Sequence, residues 1–213
     1  MSRSGGCTHA RRACYSSPVT PSDDRPAANT SHDTLAEARA AIARHTRLVA
    51  DFPSPGVQFK DLTPVLAESG GFASIITALA HGCPEVDLVG GIDARGFLLG
   101  GAVARELGVG VLAVRKKGKL PPPVHTVTYD LEYGSAALEI PAEGLDLTGR
   151  RVLLVDDVLA TGGTAVAAAT LMREAGAHVV RVSVIMELTA LAGRATITRG
   201  IGSDVEVHAL VAD

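Results

Sequence analysis

The sequence predicts one α/β domain: a mainly parallel, twisted sheet flanked by helices, with an antiparallel flap and a small N-terminal hood. Three observations carry this. The apolar runs 86–92, 111–114 and 152–155 lack polar alternation, as strands buried on both faces do. Helical periodicities separate most of the strand runs, and strands alternating with helices build parallel sheets. The protein has 213 residues, 46% hydrophobic and 20% charged, enough for one substantial core.

Residues 1–33 differ from the rest. Ser, Thr, Pro, Arg and Asp dominate, with no apolar period, so a disordered extension is expected there and the folded domain over 34–213. The early arginines and serines, with no acid before Asp23, are features of organellar transit peptides. The amphipathic arginine-rich helix of such peptides is missing, and a plain extension or an upstream start codon is the expectation. From Thr34, Leu35, Ala38, Ile42, His45, Leu48 and Val49 fall on one helical face. Pro53 and Pro55 end that helix and lead into an irregular loop through Lys60. The segment around Phe59 is the hood, placed over the strand ends.

A second helix is predicted over 71–81, then the strand 86–92, a tight turn at 93–96, and a helix over 97–107 stopped by Gly108. The strand 111–114 precedes a basic loop, and 126–133 with 136–140 form a hairpin around Gly134, the flap. The strand 151–155, a helix over 164–175, the strand 178–186 and a last strand near 205–211 complete the alternation. No repeat or second domain is visible.

The chemistry concentrates in VLLVDDVLATGGT, residues 152–164. A buried strand runs into Asp156 and Asp157 at its carboxyl end, where open α/β sheets place ligands. Ala160, Thr161, Gly162, Gly163 and Thr164 offer N–H groups and hydroxyls at the start of a helix, which suits a phosphate monoester. Two adjacent acids suit the two vicinal hydroxyls of a ribose. A Walker A loop would need a lysine in this turn, and a dinucleotide fingerprint would need G-x-G-x-x-G; neither is present. Two solvated aspartates beside a helix cap form the bland alternative.

In GGIDARGF, residues 90–97, another strand delivers a polar turn to a helix start, and Arg95 with the N–H groups of 94–96 suits a diphosphate. Arg95 could instead pair with an acid such as Glu106. Arg115, Lys116, Lys117 and Lys119 place four cations within five residues, a patch that calls for a polyanion in a protein of net charge -3. That net charge argues against a general nucleic-acid surface. No charge-free apolar segment reaches membrane-spanning length, the neutral stretch 158–172 being broken by Thr and Gly. Cys7, Cys14 and Cys83 are too scattered for a disulfide framework or a metal site, and a reducing, cytoplasmic setting is expected. Lone histidines such as His45 and His208 are expected to be surface or core filler.

These motifs together resemble the type I phosphoribosyltransferases, and the form DDVLATGGT is most similar to the members that act on adenine. DFPSPGVQFKDLTPVL (51–66), GGIDARGF (90–97), RKKGKLP (115–121) and YDLEYG (129–134) strengthen the match, which runs from about Leu35 onward. The resemblance implies the family fold and purine salvage, in which adenine and phosphoribosyl pyrophosphate (PRPP) give AMP and pyrophosphate with Mg²⁺ as cofactor. Displacement at ribose C1′ would pass through an oxocarbenium-like state.

In that scheme Asp156 and Asp157 hold the ribose, residues 160–164 hold the 5′-phosphate, and Asp93, Ala94 and Arg95 form the pyrophosphate loop with a non-proline cis peptide at Asp93–Ala94. Arg95, Arg115, Lys116 and Lys119 neutralise pyrophosphate, the basic loop closing as a lid. Phe59 stacks on the purine, Leu188 covers its other face, and Gln58 lies beside it. Glu132 on the flap is the candidate for proton transfer at the imidazole of the base, with Arg95 and Lys119 as further catalytic candidates. Mg²⁺ is held mainly by substrate oxygens and water, without a dedicated protein site, and a homodimer is implied. Family members commonly carry arginine at the position of Lys60 and a residue unlike Gln58 before the phenylalanine, so base recognition there is expected through the backbone. The alternatives are a phosphoribosyltransferase for another base and a non-catalytic PRPP-binding regulator.

Overall fold

The structure is a computed structural model and describes residues 31–52, 54–131 and 134–213. The expected extension, 1–33, lies almost entirely outside the described residues, and the first helix, α1 (Ser31–His45), opens just before the expected boundary. β1 (Arg47–Ala50), β2 (Gln58–Asp61), α2 (Thr63–Ala67), α3 (Ser69–Ala80), β3 (Leu88–Ile92), α4 (Arg95–Leu107) and β4 (Gly110–Lys116) follow. The second half holds β5 (Val124–Leu131), β6 (Gly134–Pro141), β7 (Arg151–Leu159), α5 (Gly163–Glu174), β8 (His178–Glu187), α6 (Gly193–Ile201) and β9 (Glu206–Ala212).

The main sheet has seven strands in the order β5-β6-β4-β3-β7-β8-β9. The run from β4 to β9 is parallel, while the β5–β6 hairpin joins antiparallel through Arg115↔Glu139 and Lys116↔Leu138. Alternate residues serve opposite faces. Leu88, Ile92, Val152 and Leu154 pack with the buried side of α5 and with Ile197 of α6. Val89, Leu153 and Val155 pack with α1, α3 and α4. Both faces are therefore covered, which is why the strands read as continuous apolar runs. Because the strands are parallel, the carboxyl ends of β3, β4, β7 and β8 lie at one edge of the sheet. β3 sits between β4 and β7, the crevice where an α/β sheet places a ligand.

Three expectations change. Leu48 and Val49 do not continue the first helix. Thr46 closes it by donating both its N–H and its hydroxyl to Ile42 O, at 3.0 and 2.6 Å. The two residues then lie in β1, which pairs antiparallel with β2, so Gln58, Phe59 and Lys60 lie in a strand rather than an irregular loop. α2 and α6 are helices that periodicity does not reveal: α2 is one short turn with Pro64 at its start, and α6 buries only Gly193 and Ile197. Third, Arg115 and Lys116 belong to β4, and the basic loop is confined to 117–123, with a cis Pro122–Pro123 bond.

Candidate active site

β7 does not stop before its acids. Its ladder with β3 ends at Gly91↔Val155, but the ladder with β8 continues through Asp156↔Val184 to Leu159↔Glu187. Asp156 and Asp157 thus sit inside a strand whose β3-side edge has become free. Asp156 Oδ1 accepts from the Asp157 N–H at 2.9 Å. Enclosure of the Asp156 carboxyl, with the Asp157 charge beside it, pushes its pKa well above the usual carboxylate range. Asp157 is buried, and its Oδ2 has no aligned hydrogen bond.

The charge on Asp157 is met across the crevice. Arg95 Nε lies 2.5 Å from Asp157 Oδ2, so the arginine pairs with Asp157 and not with Glu106. Close loop approach makes this possible: a Cβ on Gly96 would stand 2.6 Å from Val155 O and 3.4 Å from Asp156 Oδ1. The Asp93–Ala94 peptide is cis, at the position expected. Asp93 Oδ2 accepts from Arg115 Nε at 3.2 Å and from the Lys116 N–H at 3.3 Å, and the Arg115 guanidinium lies 5.3 Å from the Phe97 ring centroid. Arg115 is therefore held on two sides, by Asp93 and by Phe97, within β4 and not in the loop that follows. Gly118 N–H donates to buried Glu139 Oε2 at 2.8 Å, anchoring the base of the loop, while the Lys116, Lys117 and Lys119 side groups are exposed.

After β7, residues 160–162 turn into α5 through Gly162 at φ 86, a left-handed conformation that favours glycine. A Cβ there would also stand 2.6 Å from Gly193 O, so α6 backs this loop. A cavity of about 80 Å³ is lined by Asp156, Ala160, Thr161, Gly162 and Thr164. A cleft of about 380 Å³ beside Arg151, Arg173 and His178 lies at the amino ends of β7 and β8, away from every one of these loops.

In the hood, Phe59 is half-buried, with Phe52 edge-on at 5.1 Å between ring centroids, and Gln58 is exposed. Leu188 follows β8, half-buried, and its N–H donates to Leu159 O at 2.9 Å. Leu188 therefore stands beside the end of β7, and the hood reaches the sheet end through Lys60, which pairs with Asp213 just past β9.

The comparisons decide the family. Residues 60–200 match the family model described as phosphoribosyl transferase domain. Adenine phosphoribosyltransferase from Mycolicibacterium smegmatis is 61% identical over 165 residues, 78% of this protein and 92% of the relative. The one from Nocardia farcinica is 63% identical over 163 residues, 76% and 85% of the two sequences. The protein belongs to the adenine phosphoribosyltransferase family.

Solved structures agree on the fold. Adenine phosphoribosyltransferase from Rhodothermus marinus superposes with a TM-score of 0.75 at 42% identity, covering 84% of this protein and 99% of that one. The Saccharomyces cerevisiae enzyme, solved with an imino-altritol bisphosphate and adenine, gives 0.73 at 34%, covering 83% and 99%.

Some contacts of the family site were not legible in the sequence. Thr164 Oγ1 lies 3.3 Å from Tyr129 Oη, linking the flap to the start of α5. Glu139 looks like an ordinary strand acid until its register opposite Arg115 is known. The expected proton-transfer residue, Glu132, lies outside the described residues. Among the described residues no three His, Cys, Asp or Glu side groups gather into a metal cage, and no helix is long and apolar enough to cross a membrane.

Proposed function

We propose that this protein transfers the phosphoribosyl group of PRPP to adenine, releasing pyrophosphate and forming AMP, as a purine salvage enzyme. One observation carries the assignment: Arg95, Asp156, Asp157 and the 160–164 loop converge at the edge where β3 and β7 end.

The N–H groups of 160–164, at the positive end of α5, bind the 5′-phosphate. Asp156 and Asp157 hold the ribose hydroxyls. Arg95 exchanges Asp157 for pyrophosphate oxygens, and Arg115, Lys116 and Lys119 complete the neutralisation. Phe59 and Leu188 cover the two faces of adenine, with Gln58 beside them. β2 has a partner strand on one side only, so its other edge offers backbone groups to the base. Glu132 moves the proton at the imidazole of the base.

The two adjacent carboxylates, Asp156 and Asp157, are hard oxygen donors that fit Mg²⁺, which keeps several waters and would be held by PRPP oxygens with these acids close by. When bound it would neutralise pyrophosphate charge. A homodimer in the cytoplasm is part of the proposal; exposed Leu98 on α4 and Val111 on β4 give a second copy an apolar surface to cover. The test is AMP formation by purified protein from adenine, PRPP and Mg²⁺. Formation of AMP supports the proposal, and its absence at every adenine concentration overturns it.

A further inference from the structure

The hood meets the sheet end through one ion pair that the proposed chemistry does not use. Lys60, next to Phe59 on β2, places Nζ 2.5 Å from Asp213 Oδ2. Asp213 is itself well fixed. Its N–H donates to Glu187 O at 3.0 Å, and its carbonyl oxygen accepts from the Thr189 N–H at 3.0 Å and from the Thr189 hydroxyl. Those bonds tie Asp213 to the residues on either side of Leu188. Glu187 in turn is clamped by Arg194, with Nη2 to Oε2 at 2.6 Å and Nε to Oε1 at 3.3 Å. One residue therefore joins the strand bearing Phe59 to the turn bearing Leu188.

A cleft of about 290 Å³ opens between α1, the hood and the sheet end, lined by Ile42, Leu48, Lys60, Met186, Val211 and Asp213 among others. An ion pair across an unfilled gap sets a distance that dispersion contacts there do not.

We propose that Lys60–Asp213 is a latch that sets the separation of Phe59 and Leu188, making Asp213 a positioning residue for adenine. This rests on the assignment of Phe59 and Leu188 as the walls of the base slot. The latch acts on adenine more than on PRPP, since among the described residues neither Lys60 nor Asp213 bonds to residues 93–95, 115–119 or 156–164. Lys60 is mostly covered and Asp213 about half exposed, so salt weakens the link and its effect is moderate.

The test compares Asp213→Asn, Lys60→Met, the double variant and Asp213→Glu in the full-length protein. The expected result is a rise of about fivefold in KM for adenine in each single neutralising variant, with no further rise in the double and recovery in Asp213→Glu. KM for PRPP stays within about twofold. An unchanged adenine KM in Asp213→Asn, or an equal rise in both KM values, overturns the latch. Hydrogen exchange of the 58–61 amides gives a reading independent of activity: it accelerates in Asp213→Asn if the latch holds the hood and is unchanged if it does not. An unmutated protein that forms no AMP while showing that acceleration would strike the substrate assignment and leave the latch standing.

Discussion

Arg95 and Asp157 form a 2.5 Å ion pair that ties the start of α4 to the end of β7. Removing the arginine alone leaves a buried carboxylate unpaired. Arg95→Met is therefore expected to lose turnover by more than about tenfold and to cost about 1–2 kcal/mol in urea unfolding, less than a fully buried pair because Arg95 is 40% exposed. Adding Asp157→Asn should restore stability but not turnover. Full stability in Arg95→Met would show that the pair contributes nothing in the free protein.

Asp156 carries a pH signature. Its folded-state pKa is raised by enclosure and by the neighbouring Asp157, so the fold favours the neutral form. That contribution is complete below the ordinary carboxylate range and is lost as pH rises through the raised value. Asp156→Asn should thus raise Tm at about pH 8 by a few degrees, on the order of 1 kcal/mol, with the advantage shrinking toward about pH 4. Its kcat/KM for PRPP should fall. A pH-independent difference in Tm would contradict the buried-acid account.

Gly96 lets the first turn of α4 touch β7. A Cβ there meets the Val155 carbonyl at 2.6 Å, which cannot rotate away, so Gly96→Ala must separate helix and strand. The expected cost is about 1–3 kcal/mol, with KM for PRPP raised more than KM for adenine. Equal effects on the two would place the strain elsewhere.

Much of this was legible in the sequence because local pattern and tertiary environment agree. Residues 152–155 are apolar without alternation because α4 and α5 cover both faces, and Gly108 ends α4 in a left-handed conformation as its position implied. Other parts depend on partners distant in sequence. Two adjacent aspartates read as a strand end, yet β8 carries the ladder on to Leu159. Leu48 and Val49 fit a helical face but pair with Lys60 and Phe59 instead. In α6, arginines and threonines hide a helix whose packing rests on Gly193 and Ile197. Arg115 read as part of a mobile loop because its holders, Asp93, Phe97 and the strand opposite, lie outside the local pattern.

Phe59 is the proposed stacking face for the base. Phe59→Ala should raise KM for adenine by a factor matching about 1–3 kcal/mol, while Gln58→Ala leaves it within about twofold, because recognition there runs through the backbone of β2. Steady-state kinetics with adenine varied at saturating PRPP separates the two. A larger effect from Gln58→Ala would assign recognition to its amide group.

Selection of a 6-amino purine follows from the same proposed backbone recognition. A peptide carbonyl near Gln58 and Phe59 accepts from the exocyclic amine of adenine, whereas hypoxanthine or guanine would bring an acceptor against an acceptor. A site built to pair a polar group can reject an analogue lacking it by about 10⁴-fold. The decisive quantity is kcat/KM of the unmutated protein for adenine and for hypoxanthine, each at saturating PRPP and Mg²⁺. A preference for adenine of at least about 10³-fold is expected; comparable values would refute adenine selection and leave a phosphoribosyltransferase of another base specificity.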